Sequence, residues 1–380
     1  MNVIWLCSWY PNQVDKFRGD FIQRQAIAVS ALLRVDVVHV VFVEENERTE
    51  SKIVNENLTE HLYYRRNQNK LLNLRTLLSV HQIFLNQYRT DFGSPSLIHV
   101  HIPLLSGMVA IFWKWKYQFP FVLTEHYGIY NHRVDDHFEK RNFLFRFFTK
   151  QIIKSSSAFL PVSESLGTEV NQMVVAKPFT AIANVVDTSY FCRVPIFKNP
   201  IFQFIHISDM SENKNVFGIL NAVALLNQIR KDFRVLFVGK KNEMILKHAE
   251  HLNVKDQCDF IGEISYFEVA EYVKKSHVGI LFSKSESQSC VVLEWLCSGL
   301  PVISSRVGGV VELIQKSNGI LVDSNDENEL YCAMNELMNN YSKYDLNQIS
   351  EDAINKYSYQ AVARQIMSVY QSIAENRKEL

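Results

Sequence analysis

The sequence predicts an α/β protein built from two doubly wound, Rossmann-like domains. Its 380 residues exceed the size at which a single hydrophobic core stops growing, about 250–300 residues. Short runs of Val, Ile, Leu and Phe alternate with stretches at helical spacing, and such uninterrupted apolar strands are typical of parallel sheets covered on both faces. A break with two prolines and no periodicity, residues 194–200, interrupts the alternation once. We therefore expect two α/β/α domains that face a central cleft.

The elements follow from local patterns on either side of that break. In the first half, apolar or β-branched runs predict strands, and the first of them precedes a helix over residues 19–34. The predicted strands there are residues 3–7, 35–43, 97–100, 121–124 and 158–162. In the second half, the first strand precedes a helix over residues 213–230. The predicted strands there are residues 201–207, 233–238, 257–261, 278–282 and 301–304. The chain ends in a helical stretch, residues 357–375, with no strand after it.

Composition excludes several classes of protein. Lys and Arg together number 40, as do Asp and Glu, so the chain lacks the basic excess of a dedicated nucleic-acid binder. Lys114 and Lys116 interrupt the longest apolar stretch, which leaves no run of about 20 apolar residues to cross a membrane. The first seven residues lack the basic start of a signal peptide. The six cysteines form no CxxC pair and fit buried free thiols. We expect a cytoplasmic protein.

The segment from Glu286 to Glu294 is the strongest chemical signal. Glu286 follows a predicted strand in a short polar loop, and Glu294 lies in an apolar helix that begins near Ser289. The free amides of Ser289, Cys290 and Val291 at the start of that helix can bind an anion. Carboxylates are suited to sugar hydroxyls, and an acidic group in an apolar helix is rarely buried without a partner. The spacing fits a ligand with sugar, phosphate and sugar in series, which is a nucleotide-sugar.

The order and spacing of motifs over residues 260–322 resemble the donor-binding region of retaining, family 4-type glycosyltransferases of group 1, which have the GT-B fold. The matching motifs are Phe260-Ile261-Gly262, Ser283-x-x-Glu286-x7-Glu294, Gly299-x-Pro301-Val302, Gly308-Gly309-x-x-Glu312 and Gly319-x-Leu321-Val322. Weaker landmarks elsewhere extend the resemblance over most of the chain: Gly19, Thr124-Glu125-His126, Val162-Ser163-Glu164, Asn184-Val185-Val186-Asp187, Lys214 and Phe237-Val238-Gly239.

The resemblance implies a role for each domain and for individual residues. Residues 1–194 would bind the acceptor and residues 195–356 the donor, and the helix at about 357–380 would pack back on the first domain. Glu294 would bind the ribose, with Gly262 also in the nucleotide site. Lys214 and the amides of residues 289–291 would neutralise the diphosphate. Glu286 and His126 would contact the donor sugar, and Gly19 would lie in a loop near donor and acceptor.

The implied reaction is transfer of a hexosyl group from a UDP- or GDP-sugar to an acceptor hydroxyl, with retention of configuration. The acceptor would be a glycan, most plausibly a lipid-linked one in capsule, O-antigen or lipopolysaccharide synthesis. No resident cofactor is expected. The sequence has no Asp-x-Asp, the motif with which metal-dependent GT-A enzymes hold a cation, and no metal site is predicted. It also has no Walker loop or GxGxxG motif.

Two departures from the family pattern keep alternatives open. The family usually has Gly-Arg before the helix lysine, where this chain has Ser208 and Asp209, and Gly-Phe-Gly where this chain has Ser-Gln-Ser289. An added anion and a lost glycine would weaken a donor site. A non-catalytic relative that binds a glycan or a partner is therefore one alternative. A nucleotide-sugar epimerase of the same fold is the other.

Two features of the first half have more than one interpretation. Residues 140–154 mix five cations with large apolar side chains, as in a helix lying on an anionic membrane, although a helix that covers its own sheet also fits. The chain could thus associate peripherally with the inner face of the plasma membrane. His99 and His101 flank Val100 at a strand end, and we expect their rings on opposite faces, with His101 a candidate for the cleft.

Overall fold

The structure is a computed structural model that describes residues 1–132, 134–194 and 201–377. The chain divides into two compact units. Unit 1 comprises Met1–Val185 together with the C-terminal segment from Tyr359, and unit 2 comprises Val186–Ser358. The division falls after Val185, earlier than the expected boundary after residue 194, because Val186 already pairs with Ser358 in unit 2. Most of the proline-bearing break, residues 195–200, lies outside the described residues.

The strands of the described chain are short. They are β1 (Asn2–Cys7), β2 (Arg34–Val43), β3 (Arg48–Asn55), β4 (Leu58–Arg66), β5 (Leu97–His101), β6 (Phe121–Glu125), β7 (Ala158–Pro161), β8 (Phe202–Ile207), β9 (Phe233–Val238), β10 (Cys258–Gly262), β11 (Val278–Leu281), β12 (Val302–Ser305) and β13 (Gly319–Val322).

The α-helices of the described chain lie between and after these strands. They are α1 (Asp20–Ser30), α2 (Lys70–Phe92), α3 (Ser106–Tyr117), α4 (Phe143–Ser155), α5 (Glu164–Met173), α6 (Val216–Ile229), α7 (Glu243–His251), α8 (Tyr266–Lys275), α9 (Cys290–Cys297), α10 (Glu327–Asn340), α11 (Leu346–Tyr357) and α12 (Tyr359–Asn376).

Unit 1 is a seven-stranded sheet in the order β3-β4-β2-β1-β5-β6-β7. All neighbouring strands pair in parallel except β3 and β4. Apolar side chains cover both faces. One core centres on Trp113 of α3 and the other on Trp5 of β1, where α12 packs beside α1 and contributes Tyr370. The C-terminal helix is thus an integral layer of unit 1.

Unit 2 is a six-stranded parallel sheet in the order β10-β9-β8-β11-β12-β13. Counted within the unit this is the order 3-2-1-4-5-6, in which the chain changes direction between its first and fourth strands. Ligands of such sheets bind outside the carboxyl ends of the strands at that switch point. In unit 2 this point lies at the loops that follow β8 and β11.

The predicted fold class is confirmed, and every predicted strand is present within one or two residues of its expected bounds. The first helix is shorter than predicted, because Gly19 precedes it and the chain leaves it after Ser30. Lys214 does not open α6 as expected, since it lies in a 3-10 turn, Glu212–Lys214, just before that helix.

Candidate functional site

The loops after β8 and β11 meet at the switch point of unit 2 and hold one another by hydrogen bonds. The Asn213 amide donates to the Ser285 carbonyl over 2.9 Å, and the Lys284 backbone N–H donates to the Asn213 carbonyl over 2.8 Å. The segment that carries Lys214 is thereby fixed against the segment that carries Glu286. Residues 72 positions apart in sequence become neighbours because β8 and β11 are adjacent in the sheet.

Lys214 and Glu286 form an ion pair at the centre of this arrangement. Lys214 Nζ lies 2.6 Å from Glu286 Oε1, and the two side chains are 22% and 9% exposed. Burial acts to lower the pKa of Lys214, but the Glu286 carboxylate outweighs it and the pKa lies above its ordinary value. Lys214 is therefore a cation at neutral pH. An ammonium has three donors, so it can keep Glu286 and still donate to an anion.

A tight turn holds the main chain of Glu286. Gly308 has a φ of 45°, and a Cβ on it would lie 1.7 Å from the Glu286 carbonyl oxygen. The Gly309 backbone N–H donates to that same oxygen over 3.3 Å. Only glycine permits this approach at Gly308. The Gly-Gly turn seen in the sequence is thus a support for the loop that carries Glu286.

Helix α9 begins directly after this loop. Ser289 is its N-cap residue, 4% exposed, and Cys290 and Val291 form the start of its first turn. Backbone N–H groups in the first turn of a helix have no carbonyl partner within the helix, and the helix dipole favours negative charge there. Cys290 lies close enough to Lys214 to affect its pKa. The first turn of α9 and the Lys214 ammonium together form a site suited to a phosphate.

Glu294 lies one turn further along α9 and is buried, with 3% of its surface exposed. The Tyr266 hydroxyl at the start of α8 donates to its Oε1 over 2.8 Å. The charge of Glu294 adds to the burial that raises the pKa of the Cys297 thiol on the same helix. A buried acidic group held by a phenol is a directed hydrogen-bond acceptor, which suits a ribose hydroxyl.

Gly262 lies at the end of β10, with a φ of 94°. Its carbonyl accepts a hydrogen bond from the Gly239 backbone N–H over 3.0 Å, so the ends of β9 and β10 are joined. A Cβ on Gly239 would lie 1.8 Å from the Ser208 carbonyl oxygen. These glycines let three neighbouring strand ends of unit 2 pack closely. They also keep the backbone at residues 208–210 in place.

Asp209, which replaces the family's usual arginine, is exposed and its carboxylate accepts a hydrogen bond from the Ser211 backbone N–H over 3.0 Å. That contact turns the carboxylate toward its own loop. Its charge contributes to the raised pKa of Lys214 less than Glu286 does.

His126 and Gly19 belong to unit 1. His126 follows β6, its ring is buried, and its Nε2 lies 3.2 Å from His101 Nδ1. Burial lowers the pKa of His126 to about 3, so the ring is neutral at physiological pH. Gly19 caps α1 with a φ of 78°, and a Cβ there would lie 2.8 Å from the Trp9 carbonyl carbon. Both residues lie in segments that follow the carboxyl ends of strands in this sheet.

The expectation that His99 and His101 face opposite ways is wrong. Their ring centroids are 4.2 Å apart, and Trp5 on the neighbouring strand packs against both rings. Side chains two residues apart in a strand share a face, because successive side chains alternate. Glu125, which precedes His126, was named from the sequence only as part of a family landmark and was given no role. Burial raises its pKa to about 7, and its carboxyl group accepts hydrogen bonds from the Tyr130 hydroxyl and the His126 and Tyr127 backbone N–H groups.

Helix α4 covers its sheet and also presents an apolar outer face. Ile152 and Ile153 are buried, whereas Phe143, Leu144 and Phe147 are 69%, 62% and 44% exposed. Both interpretations of residues 140–154 are thus compatible with the structure. Within the described residues, no helix is long and apolar enough to span a membrane.

The six cysteines are all free in the described chain, and Cys7, Cys258 and Cys297 are buried. Within the same residues, one group of side chains has the composition of a metal site: His132, His137 and Glu139 in the loop after β6, with ligand atoms within 4.8 Å of one another. This group belongs to unit 1, whereas Lys214, Glu286 and α9 belong to unit 2.

Comparison with known proteins agrees with this architecture. The model of glycosyltransferase family 4 matches residues 25–190, and the model of glycosyl transferases group 1 matches residues 195–359. An uncharacterized glycosyltransferase of Methanocaldococcus jannaschii is 24% identical over 89% of this chain and 90% of its own length. A putative teichuronic acid biosynthesis glycosyltransferase of Bacillus subtilis is 24% identical over 85% of each chain.

Among solved structures, the Anabaena protein HepE in complex with UDP superposes with a TM-score of 0.75. The match covers 98% of this chain and 100% of HepE at 16% identity. HepE has also been solved with UDP-glucose. The similarity establishes the fold, two parallel-sheet Rossmann-like units as in GT-B glycosyltransferases.

Proposed function

Because the chain belongs to the glycosyltransferases of group 1 and family 4, we propose that it transfers a hexosyl group from a nucleoside-diphosphate sugar to an acceptor hydroxyl. The observation that carries the donor assignment is the half-buried ion pair of Lys214 and Glu286 beside the first turn of α9, at the switch point of unit 2. A cation and an anion-binding helix start suit a diphosphate, and the binding of UDP and UDP-glucose by HepE supports this donor class.

In this proposal each residue of unit 2 has one task. Lys214 and the amides of residues 289–291 neutralise the diphosphate as charge develops on the leaving group. Glu286 accepts hydrogen bonds from the donor sugar, and Glu294 accepts from the ribose. Gly262 lets strand ends and nucleotide approach closely. UDP and GDP are the expected leaving groups, and the lysine and the helix amides do the work that a cation does in metal-dependent transferases.

Retention of configuration is the expected stereochemical outcome, with the leaving phosphate taking the acceptor proton. The neutral state of His126 supports this assignment, since a ring with a pKa of about 3 is a weak base at physiological pH. The proposal gives His126 a neutral hydrogen-bonding role in sugar transfer, and Gly19 the role of keeping the loop before α1 close to the main chain at Trp9.

For the acceptor we propose a lipid-linked glycan in cell-surface polysaccharide synthesis. The teichuronic acid relative and the exposed apolar side chains of α4, with Arg146, Lys150 and Lys154 on the same helix, support this class. An amphipathic helix with basic residues binds anionic membrane surfaces. Phe147→Glu should reduce sedimentation with vesicles that contain phosphatidylglycerol, and equal sedimentation of both proteins would reject the membrane contact.

Product analysis tests the transferase assignment. The full chain is incubated with UDP-glucose or GDP-mannose and membrane glycan extract, without metal. Release of nucleoside diphosphate that depends on the extract, with an α-linked sugar in the product, is the expected result. Conversion of the donor into its epimer without an acceptor would favour the epimerase instead. Nucleotide binding without any turnover would favour a non-catalytic relative.

A further inference from the structure

Unit 1 contains a pocket of about 200 Å³ at the carboxyl ends of its central strands, and all the residues that line it belong to unit 1. Residues after β1, β5 and β6 line it, and α4 closes one side. The Ser8 hydroxyl joins two of these loops by donating to the carbonyls of Ile102, over 3.0 Å, and Leu104. The pocket lies at the switch point of this sheet, where ligands of doubly wound domains bind.

Two buried polar atoms in this pocket have no hydrogen-bond partner among the residues that the structure describes. They are Arg141 Nε and Thr149 Oγ1. Thr149 is 1% exposed, so its hydroxyl is shielded from solvent. Leaving a buried donor unpaired costs about 1–3 kcal/mol, and native proteins rarely retain such groups without a reason. A ligand whose binding shifts the side chains that cover these two atoms would satisfy both.

The charges that face the pocket favour an anionic group. Arg18 and Arg141 line it, and Arg141 Nη2 lies 2.5 Å from Asp136 and donates to the Tyr127 hydroxyl over 3.0 Å. Those contacts use Nη2, and Nε has no partner among the described residues. Glu125 also lines the pocket, but Tyr130 and two backbone amides already donate to its carboxyl oxygens. The guanidinium geometry matches carboxylate and phosphate oxygens.

The rest of the pocket lining includes two aromatic rings and two residues with unusual backbone angles. The Trp9 and Tyr127 rings meet edge to face at 4.9 Å, and the Arg18 guanidinium lies 5.3 Å from the Trp9 ring centroid. Ile102 and Leu105 both have positive φ angles, 67° and 68°, which side chains of their kind rarely adopt. Such backbone costs free energy and is concentrated at ligand sites. Apolar walls with a few directed polar atoms are typical of small-molecule pockets.

We propose that this pocket binds an acidic sugar ring of the acceptor, one that carries a carboxylate or a phosphate, and that Arg141 and Thr149 determine that specificity. The inference rests on the proposed glycosyltransferase function and names the substrate class that the acceptor side of the reaction requires. Arg141 Nε donates to the anionic substituent. Thr149 Oγ1 bonds a ring hydroxyl, and the Trp9 and Tyr127 rings cover the apolar face of the sugar.

Ligand-observed NMR on the full chain, without nucleotide, tests the proposal. The probes are glucuronic acid, glucose 1-phosphate, glucose and inorganic phosphate. One of the two acidic sugars should bind at least about tenfold more tightly than glucose, and the tighter one identifies the substituent. Equal affinities of both acidic sugars and glucose would overturn the anionic specificity. Inorganic phosphate binding as tightly as the sugar phosphate would overturn the sugar part.

Two variants separate binding from folding. Arg141→Gln should abolish the preference for the acidic sugar, whereas Arg146→Gln, at an exposed arginine of α4, should keep it. Thr149→Val should weaken binding of the acidic sugar by about two- to tenfold, the usual effect of losing one hydrogen bond. It should melt no lower than wild type, because it removes an unpaired hydroxyl without changing shape. A lower melting temperature with unchanged affinity would mean a structural role only and would overturn the proposal.

The experiments also distinguish a failure of this pocket proposal from a failure of the proposed donor site. UDP binding should be the same in Thr149→Val and wild type, since UDP is assigned to unit 2. Acidic-sugar binding without any nucleotide binding would contradict the proposed transferase and leave this pocket intact. Nucleotide binding without acidic-sugar binding would contradict the pocket alone.

Discussion

Apart from the edge strand β3 of unit 1, the two units share one order of parallel strands, but different residues follow those strands. In unit 2 the loops carry a charged pair, Lys214 and Glu286, beside the start of a helix. In unit 1 the corresponding region carries three histidines whose rings pack on one another, His99, His101 and His126, and burial keeps them neutral. A fixed cation suits a diphosphate, and neutral rings with a carboxyl group suit hydroxyls. The same fold thus specialises through the residues that follow each strand.

The buried histidines of unit 1 should make this unit more sensitive to acid than unit 2. In unit 1, burial lowers the pKa of His39 and His81 to about 4 and of His99 and His126 to about 3. Each ring binds a proton only on unfolding, so its stabilising contribution is present above pH 6.5 and is lost as pH falls toward the folded pKa. The loss is about 1.4 kcal/mol per pH unit for each histidine.

Hydrogen exchange measured at pH 7 and pH 5 checks this prediction unit by unit. Protection should fall more in unit 1, where burial lowers the pKa of His39, His81, His99 and His126, than in unit 2, where it lowers the pKa of His206 to about 4. His251→Asn, on the exposed end of α7, serves as a control and should leave the pH profile unchanged. Equal losses in both units would contradict the comparison.

The ion pair of unit 2 should be essential for turnover. Lys214→Met should lower kcat/KM by at least about 100-fold, as removal of a group that stabilises a developing anion commonly does. It should also lower the melting temperature, because the half-buried Glu286 carboxylate loses its ion-pair partner.

The double variant Lys214→Met/Glu286→Gln separates the two effects. It should recover most of the melting temperature, since no lone charge remains, without recovering turnover. Recovery of turnover in the double variant would remove Lys214 from the reaction and leave it a structural role.

The neutral ring of His126 should affect turnover more than donor affinity. His126→Gln keeps a hydrogen-bonding group but alters its position, so kcat should fall by about tenfold while the Kd for UDP stays the same. Steady-state kinetics together with UDP titration checks the split. His81→Gln, at a second buried histidine of unit 1 that no site uses, is the matched control for loss of stability. An equal loss of kcat in that control would assign the effect to folding.

The smallest expected effect concerns the partner of Glu294. Tyr266→Phe removes the hydroxyl that donates to Glu294 over 2.8 Å and should weaken nucleoside-diphosphate binding by about two- to fivefold. Calorimetric titration with UDP or GDP is the measurement. Tyr272→Phe on the same helix is the matched control and should bind as wild type does.

The fold was largely predictable because its parallel strands are buried on both faces and therefore read as continuous apolar runs. Prediction missed three strands, β3, β4 and β13. β3 is a mostly exposed edge strand whose sequence, Arg-Thr-Glu-Ser-Lys-Ile-Val-Asn, has no apolar face, and it pairs antiparallel with β4. β4 interrupts its apolar residues with Thr59, Glu60 and His61, and β13 is a short apolar run that the sequence analysis named only as a family motif.

The candidate site was predictable only in part. The segment from Glu286 to Glu294 carries its own signal, since a helix start, a loop carboxylate and a helix carboxylate are close in sequence. Arg141 and Thr149 carry no such signal of a binding site. A threonine on the inner face of an amphipathic helix resembles any other core residue in the sequence. Their importance depends on missing hydrogen-bond partners, which only the packed structure reveals. The face shared by His99 and His101 follows from strand alternation alone.

Thermal unfolding of the full chain with UDP, GDP, ADP, CMP or dTDP, first without and then with added metal, tests the central claim most directly. A diphosphate at 100 times its Kd adds about 2.7 kcal/mol to the free energy of unfolding. We predict a metal-independent rise in melting temperature with UDP or GDP that Glu294→Ala reduces. No rise with any nucleotide, or an equal rise in Glu294→Ala, would contradict a donor site built on Lys214, Glu286 and Glu294.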